Sequence, residues 1–526
     1  MTGFLRRSAA WALFVFVLAG FAAPAQAQSR DCAALARLSL PDVRITKAEA
    51  IPGGARWAFP PSPFNIFAGL NAATDRPFCR VVGVIEREIG FELWLPPEWN
   101  GRFLGVGNGG YTGAINYPGL GLGLGRGFAT ASTDTGHVTP FGFFDDSWVE
   151  GHPDRLENFG HRAHHLLADR GKRIVRAFYG RPAEFAYYDG CSSGGLQGLT
   201  EAQLYPEDYD GIVAGAPANN FIRLWTRPFY LMALARTAPA GNLGPADITL
   251  LNAAVLAQCD PADGVRDGVM SDPQHCGFDP GSLLCRPGQS GSCLSQAQVE
   301  RARLTWGPRR TARGLALYPG NAWGAPPIAS LPGVRLDEPM LMRMVPAAER
   351  RWTAQTFDFD RDIPPLEARF GRMLGAWNPD LRPFAGRGGK LIVYHGWTDP
   401  LLSPWNSIAY WEAVTARMGA RNVPGFYRLF MVPGMDHCRG GAGPGRFDAL
   451  EAVMAWREHR RVPDRLIASG NLAAGGVRSR PLCPYPRVAH YSGRAAPTMR
   501  PAFSASRRAA SNWLVNRLMV AAIGRA

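Results

Sequence analysis

From about residue 81 to 220 the chain alternates short apolar runs with stretches whose apolar positions recur at helical spacing. Residues 91–95 and 102–106 read as strands separated by a Pro/Gly turn, and 128–132 as a third. A helical pattern over 161–179 leads into a short strand at 185–188 and another at 210–215. Apolar runs bounded by turn residues and alternating with helices predict a mostly parallel sheet covered on both faces. Between about 221 and 384 the regularity fails; Pro, Gly, Cys, Trp and Arg abound, and only 248–258 and 294–305 read as helical. The alternation then resumes, with strands at 390–394 and 427–432 and helices at 405–418 and 448–460. Two half-sheets need each other to bury their faces. The pattern therefore predicts one α/β domain over 28–220 and 385–491, with a large lid inserted at 221–384 before the last strands. A basic tail follows over 492–526, and its residues 512–523 have the pattern of an amphipathic helix or of a frayed end.

The first residues change the picture of where this domain works. Arg6 and Arg7 precede an apolar run, and Ala25-Gln26-Ala27 supplies small residues for cleavage, so 1–27 is expected to be a signal peptide. The run is short for a membrane anchor and no later stretch is long and apolar enough to span, so no stable membrane insertion is expected. An exported protein, periplasmic or extracellular, meets oxidising conditions, where its 9 cysteines are expected to pair rather than bind metal, with at least one left over. Composition is that of a globular chain, with 46% hydrophobic and 19% charged residues. The net charge of +14, or +12 without Arg6 and Arg7, is scattered and accompanies no nucleic-acid-binding motif, so a nucleic-acid partner is not expected.

Gly190-Cys191-Ser192-Ser193-Gly194 fits G-x-S-x-G between a predicted strand and a predicted helix, the placement of a nucleophile elbow. A serine hydroxyl needs a histidine to take its proton and a carboxylate to fix that histidine's tautomer. Such an elbow on this alternating pattern predicts an α/β-hydrolase fold, in which the order is Ser, acid, His, with the acid after a late strand and the histidine after the last core strand. Asp399 follows the strand ending at Tyr394 and His437 follows the strand ending at Val432, so Ser192, Asp399 and His437 are the candidate catalytic residues. Asp436 adjoins the histidine and would point elsewhere, and His395 precedes the acid and suits a structural hydrogen bond. His161, His164 and His165 share a helical face, but no Asp, Glu or Cys completes a metal set with them.

Cysteine placement gives an independent check. Cys191 precedes Ser192 and Cys438 follows His437; if serine and histidine meet, these neighbours fall within disulfide reach. The oxyanion hole is expected from the Ser193 N–H and from the loop Gly107-Asn108-Gly109-Gly110-Tyr111, with Gly109 and Gly110 both open as the second donor. In the insertion, Asp260, Asp263 and Asp267 lie within eight residues among glycines, a spacing that fits either a calcium loop or a solvated acidic loop. No organic cofactor is expected.

Gly190-Cys191-Ser192-Ser193-Gly194-Gly195, His395-Gly396-Trp397-Thr398-Asp399, Gly434-Met435-Asp436-His437-Cys438 and Pro481-Leu482-Cys483-Pro484-Tyr485-Pro486 together resemble the tannase and feruloyl esterase family. That family also includes the hydrolase of mono(hydroxyethyl) terephthalate, and the resemblance runs from about Cys32 to Tyr491. It implies the triad Ser192, Asp399 and His437 and the bridge Cys191–Cys438. It further implies calcium held by Asp260, Asp263, Asp267 and the carbonyls of Val265 and Val269, and disulfides Cys259–Cys276, Cys285–Cys293 and Cys32–Cys79. The family pairs the cysteine at Cys483 with one near the C-terminus; none follows here, so Cys483 is expected free and the tail departs from the pattern.

The resulting expectation is a secreted serine carboxylesterase cleaving small aromatic or plant-polymer esters, feruloyl or galloyl in type, through an acyl-enzyme. Trp225, Phe229, Trp306, Trp352, Phe357 and Trp377 are available to stack on such a ring or to build the core of the insertion. The competing classes are a non-catalytic envelope or polysaccharide-binding protein on the same fold, and an exported peptidase.

Overall fold

Nine strands make one sheet: β1 (Val43–Ile51), β2 (Phe78–Ile85), β3 (Ile89–Leu95), β4 (Arg102–Val106), β5 (Ala129–Thr133), β6 (Phe185–Cys191), β7 (Gly211–Gly215), β8 (Lys390–Gly396) and β9 (Tyr427–Val432). The computed structural model describes residues 31–67, 72–139, 142–314, 316–327, 340–353, 355–471, 476–493 and 503–507. Across the sheet the order is β1-β2-β3-β5-β4-β6-β7-β8-β9. From β5 onward every neighbouring pair is parallel, whereas β1, β2 and β3 run as an antiparallel meander whose last strand joins β5. The crossover of β4 and β5 and the parallel run beyond it are the α/β-hydrolase arrangement, with ligand chemistry expected at the carboxyl ends of the strands.

The longer helices are α1 (Tyr117–Gly125), α2 (Ala163–Tyr179), α3 (Ser193–Leu204), α4 (Phe221–Thr237), α5 (Pro245–Cys259), α6 (Gln296–Trp306), α7 (Phe359–Leu374), α8 (Pro404–Met418) and α9 (Ala449–His459). Alternate strand residues feed opposite faces of the sheet. Leu391, Val393, Leu429 and Met431 join the core under α2, α3 and α8, while Ile392, Phe430 and Val432 join the one under α9. With both faces covered, β7 is buried along its length, which is why Gly-Ile-Val-Ala-Gly reads as an unbroken apolar run. The pattern locates β3 to β9 in place but names neither β2 nor β1, the latter a mostly solvated edge strand in which polar residues outnumber the buried ones.

Between β7 and β8 the chain does two things. Helices α4 and α7, which the pattern did not reveal, add Phe221, Trp225, Phe229, Phe370 and Leu374 to the main core. α7 was hidden by Pro364 and Pro365 inside it; Asp358 starts the helix by accepting the N–H groups of Asp360 and Arg361 (2.9 Å each). Helices α5 and α6, which the pattern did predict, surround a separate small core of Leu251, Val255, Leu294, Val299 and Trp306. This part is stapled by Cys259–Cys276 and Cys285–Cys293.

After α9, Leu466–Asn471 pairs with Val477–Leu482, and Arg487–Tyr491 pairs with Phe503–Arg507, so part of the expected tail is a strand. The signal segment 1–27 and the candidate helix 512–523 lie outside the described residues. No helix among the described residues is long and apolar enough to cross a membrane.

Candidate active site

β6 delivers the chain to Ser192, and α3 begins at the next residue. Ser192 has φ 68° and ψ −123°, a conformation side chains avoid, at a cost of about 1–3 kcal/mol. Packing around the turn enforces it. Ser192 N–H donates to Gly215 O (2.9 Å) and Ala218 N–H donates to Ser192 O (3.2 Å). A Cβ on Gly190 would sit 2.7 Å from Gly194 O, so strand and helix approach too closely for any other residue there.

The loops after β8 and β9 bring Asp399 and His437 together. His437 Nδ1 donates to Asp399 Oδ2 at 2.7 Å, which leaves Nε2 as the nitrogen free to accept a proton. Asp399 is fully buried, and its Oδ1 accepts the N–H groups of Leu401 and Leu402 (2.9 Å each). Burial pushes its carboxyl up, but the His437 and His395 imidazoles outweigh that and hold it well below the usual carboxylate range. Asp436 is engaged elsewhere, accepting from Thr398 Oγ1 at 2.8 Å. Cys191 and Cys438 are bonded with Cα atoms 6.0 Å apart, which ties the elbow to the histidine loop on either side of Ser192 and His437. Cys32–Cys79 is the fourth disulfide, and Cys483 is a free, buried thiol.

The glycine loop after β4 is fastened to the elbow. Gly194 N–H donates to Asn108 O (2.9 Å) and Ser193 Oγ donates to Gly110 O (2.6 Å). Gly110 has φ 60°, and a Cβ there would strike Phe143 O at 2.2 Å. Among the described residues the N–H groups of Ser193, Gly109 and Gly110 donate to nothing within the chain, so these three remain available to a ligand oxygen. Beneath the loop lies a polar network that the sequence did not disclose. Asn108 Oδ1 meets His164 Nε2 (2.8 Å), Asn108 Nδ2 donates to Ala114 O (3.0 Å) and Thr133 O (2.9 Å), and Asn108 N–H donates to Gln197 Oε1 (3.0 Å). Burial alone lowers the His164 imidazole to about 3, so it is neutral. His161 meets Tyr205 (2.8 Å) and His165 meets Asp208 (2.6 Å), so the three histidines serve separate contacts.

The acidic loop 260–269 is held largely by its own backbone. Asp260 Oδ2 accepts from the N–H groups of Asp267 (3.0 Å) and Gly268 (2.9 Å), Asp263 Oδ1 from Val265 (3.1 Å), and Asp267 Oδ1 from Val269 (3.3 Å). Arg480 ion-pairs with Asp263 (3.4 Å) and with Asp267, and Arg478 donates to Asp267 O (3.0 Å). Among the described residues no three His, Cys, Asp or Glu side chains stand close enough to one another to hold a metal. The donors are nevertheless all oxygen, as calcium prefers, and the buried Asp260 Oδ1 has no hydrogen-bond partner. Of the aromatic residues in the insertion, Trp225, Phe229, Trp306, Trp352 and Phe357 are buried in cores and Trp377 is half-buried.

Sheet order, elbow and histidine loop define a protein of the α/β-hydrolase class. The sequence model for tannase and feruloyl esterase matches residues 73–329 and 355–505, most of the chain. The chain is 33% identical to a probable feruloyl esterase B-2 of Aspergillus terreus, over 87% of this chain and 91% of that protein. It is likewise 33% identical to the mono(2-hydroxyethyl) terephthalate hydrolase of Piscinibacter sakaiensis, over 81% and 84% of the two chains. The crystal structure of feruloyl esterase B from Aspergillus oryzae superposes with a TM-score of 0.82 at 29% identity, covering 90% of this chain and 98% of that one. This chain belongs to the tannase and feruloyl esterase family, and its class is that of a carboxylic ester hydrolase.

Proposed function

We propose that this is a serine carboxylesterase of feruloyl esterase or tannase type, acting on esters of hydroxycinnamic or gallic-type acids. One observation carries the reading: Asp399 holds His437 in the tautomer a base needs, and Cys191–Cys438 ties that histidine's loop to Ser192 on its elbow.

In this mechanism Ser192 Oγ attacks the ester carbonyl as its proton passes to His437 Nε2. Negative charge on the former carbonyl oxygen meets the Ser193 N–H and that of Gly109 or Gly110. The C–O bond to the alcohol breaks, His437 returns the proton to the leaving oxygen, and an acyl-Ser192 ester remains. Water, deprotonated by His437, then attacks this ester and releases the acid with serine restored. Asp399 stays ionised throughout and orients the imidazole.

The reading extends to the rest of the chain. Segment 221–384 is the lid; calcium braces it through Asp260, Asp263, Asp267 and the carbonyls of Val265 and Val269, where a hard cation would satisfy the unpartnered Asp260 oxygen. Four disulfides suit a protein exported to the periplasm or beyond. The polysaccharide-binding reading is not favoured, since no member of the triad is missing.

The test is turnover of methyl ferulate, methyl gallate, a nitrophenyl ester and the matching anilide, with Ser192→Ala as control. Ester cleavage that Ser192→Ala abolishes supports the proposal. Anilide cleavage alone would point to a peptidase, and no turnover of any substrate would end the catalytic reading.

A further inference from the structure

The insertion contains a cavity of about 10 Å³ where Arg227 and Tyr230 of α4 meet Arg309, Tyr318 and Phe359. A volume of about 10–15 Å³ admits one water-sized particle. Arg227 is only 4% exposed. Its Nη1 donates to Pro400 O (3.3 Å), directly after Asp399, and its guanidinium lies 4.6 Å from the Tyr318 ring centroid. With the Asn321 amide oriented to donate to Gly320 O (3.1 Å), Asn321 Oδ1 accepts from Arg227 Nη2 at 3.2 Å. The Nε–H of Arg227 is buried without a partner.

The surroundings of this cavity are positively charged. Arg309 gives Nε and Nη2 to the carbonyls of Leu304 (3.0 Å) and Arg303 (2.7 Å), and its guanidinium lies 5.8 Å from the Tyr230 ring centroid. Arg301, itself buried, is held by Asn242 Oδ1 (2.7 Å) and the carbonyls of Leu234 (2.6 Å) and Ala238 (2.8 Å). Burial pushes the guanidinium groups of Arg301 and Arg309 below their usual range. Among the described residues no carboxylate pairs with Arg227, Arg301 or Arg309, and the acids of the neighbouring elements are committed. Glu300 binds Arg303 (2.6 Å), Glu367 binds Arg223 (2.9 Å), and Asp360 accepts from Thr311 Oγ1 and from the Arg313 N–H (3.2 Å). The lining hydroxyls of Thr226 and Thr305 are spent on the carbonyls of Arg223 (2.7 Å) and Arg301 (2.8 Å). Two guanidinium groups on one interior cavity repel each other and have lost water, and a small anion between them offsets both costs. The remaining wall includes Leu231, Leu304 and Leu317, which suits an anion that sheds its hydration readily.

We propose that this cavity is an anion site that takes a single halide, chloride in size, between the guanidinium groups of Arg227 and Arg309. The halide braces α4 against the strand Arg309–Arg310. Because Arg227 also holds Pro400, the same ion fastens the insertion to the loop that carries Asp399. The site goes beyond the esterase reading and does not depend on it.

The test is a chloride titration of the whole protein at constant ionic strength, with sodium gluconate, an anion too large for the cavity, as the balancing salt. Chloride is expected to raise the melting temperature saturably by roughly 2–3 °C and to show saturable chlorine-35 line broadening on binding. Bromide should act like chloride. Arg309→Gln, at a half-buried position, should lose both responses, and Arg309→Lys should keep them at a higher half-saturating concentration. A wild type that responds alike to chloride and gluconate, or an Arg309→Gln protein that responds as wild type does, would overturn the site and leave the cavity to water. If Arg309→Gln does not fold, crystals of wild type soaked in bromide decide the matter: an anomalous peak between Arg227 and Arg309 supports the site, and its absence ends it. None of these readouts requires turnover, so they stand whether or not any ester is cleaved.

Discussion

His395 Nε2 lies 3.2 Å from Asp399 Oδ2, the same oxygen that His437 Nδ1 reaches at 2.7 Å. The other neighbour of His395 Nε2 is the carbonyl of Leu402 (3.2 Å), so this nitrogen faces only acceptors and must carry its proton. Its Nδ1 is then free to accept from Ser407 Oγ at 2.7 Å. His395 is therefore a positioning residue. It donates to the same buried carboxylate oxygen as His437 and so helps fix how Asp399 receives the catalytic imidazole.

His395→Ala is accordingly expected to lower kcat by about 10- to 100-fold with KM within about twofold, because a partner of the orienting acid is lost while ligand contacts remain. His395→Gln, which keeps an N–H donor, should recover part of the rate. Kinetics on a nitrophenyl ester distinguish the cases; equal kcat in wild type and His395→Ala would remove this role.

The Cys191–Cys438 bridge spans 247 residues of sequence and joins the two loops that the triad requires. Replacing both cysteines by serine should lower stability by roughly 2–5 kcal/mol. It should also reduce kcat at temperatures where the variant is still folded, since the histidine loop loses its tether to the elbow. Thermal melts and initial rates on the same samples check both effects. A folded variant with unchanged kcat would show that the remaining contacts suffice to hold the site.

His164 links stability to pH. Its imidazole is buried, lowered to about 3, and spends Nε2 on Asn108 at the root of the glycine loop. The unfolded chain binds a proton at this residue below about 6.5, while the folded chain does not until about 3. The contribution of His164 is thus complete above about 6.5 and is lost as pH falls toward 3. His164→Gln keeps an N–H for Asn108 but cannot titrate, so its melting temperature should fall less steeply than wild type between pH 6.5 and 4. Parallel acid limbs for the two proteins would rule this out.

How much of this was legible in the sequence follows from what each feature requires. Ser192, Asp399 and His437 could be named because strand ends fix where an elbow and its partners must lie, and Cys191 and Cys438 flagged the serine and histidine loops as neighbours. His395 was read as a structural hydrogen-bond residue, but its partners, like the roles of Asn108 and Gln197, arise from side chains that local patterns do not bring together. β1 was missed as a solvated edge, and α7 because Pro364 and Pro365 mimic a break. Arg480 was equally hidden: it arrives at Asp263 from 217 residues away, so spacing within the acidic loop does not reveal the counter-charge waiting there.

That arginine shapes the last prediction. Asp260, Asp263 and Asp267 face Arg478 and Arg480, so one negative charge is left over, and Asp260 Oδ1 is buried without a partner. A calcium ion would answer both, whereas without it the loop depends on the two guanidinium groups and its own backbone N–H donors. Ligand binding to the folded state alone stabilises by about 2.7 kcal/mol at a hundred times Kd, so dialysis against EGTA should lower the melting temperature by several degrees, with recovery in calcium rather than magnesium. Asp260→Asn should melt lower and respond little to chelation. If EGTA leaves wild type unchanged and metal analysis finds no calcium, Arg478 and Arg480 are the sole counter-charge. In that case Arg480→Gln, which strands the buried Asp263 carboxylate and leaves Asp267 only Arg478, should be the more damaging substitution.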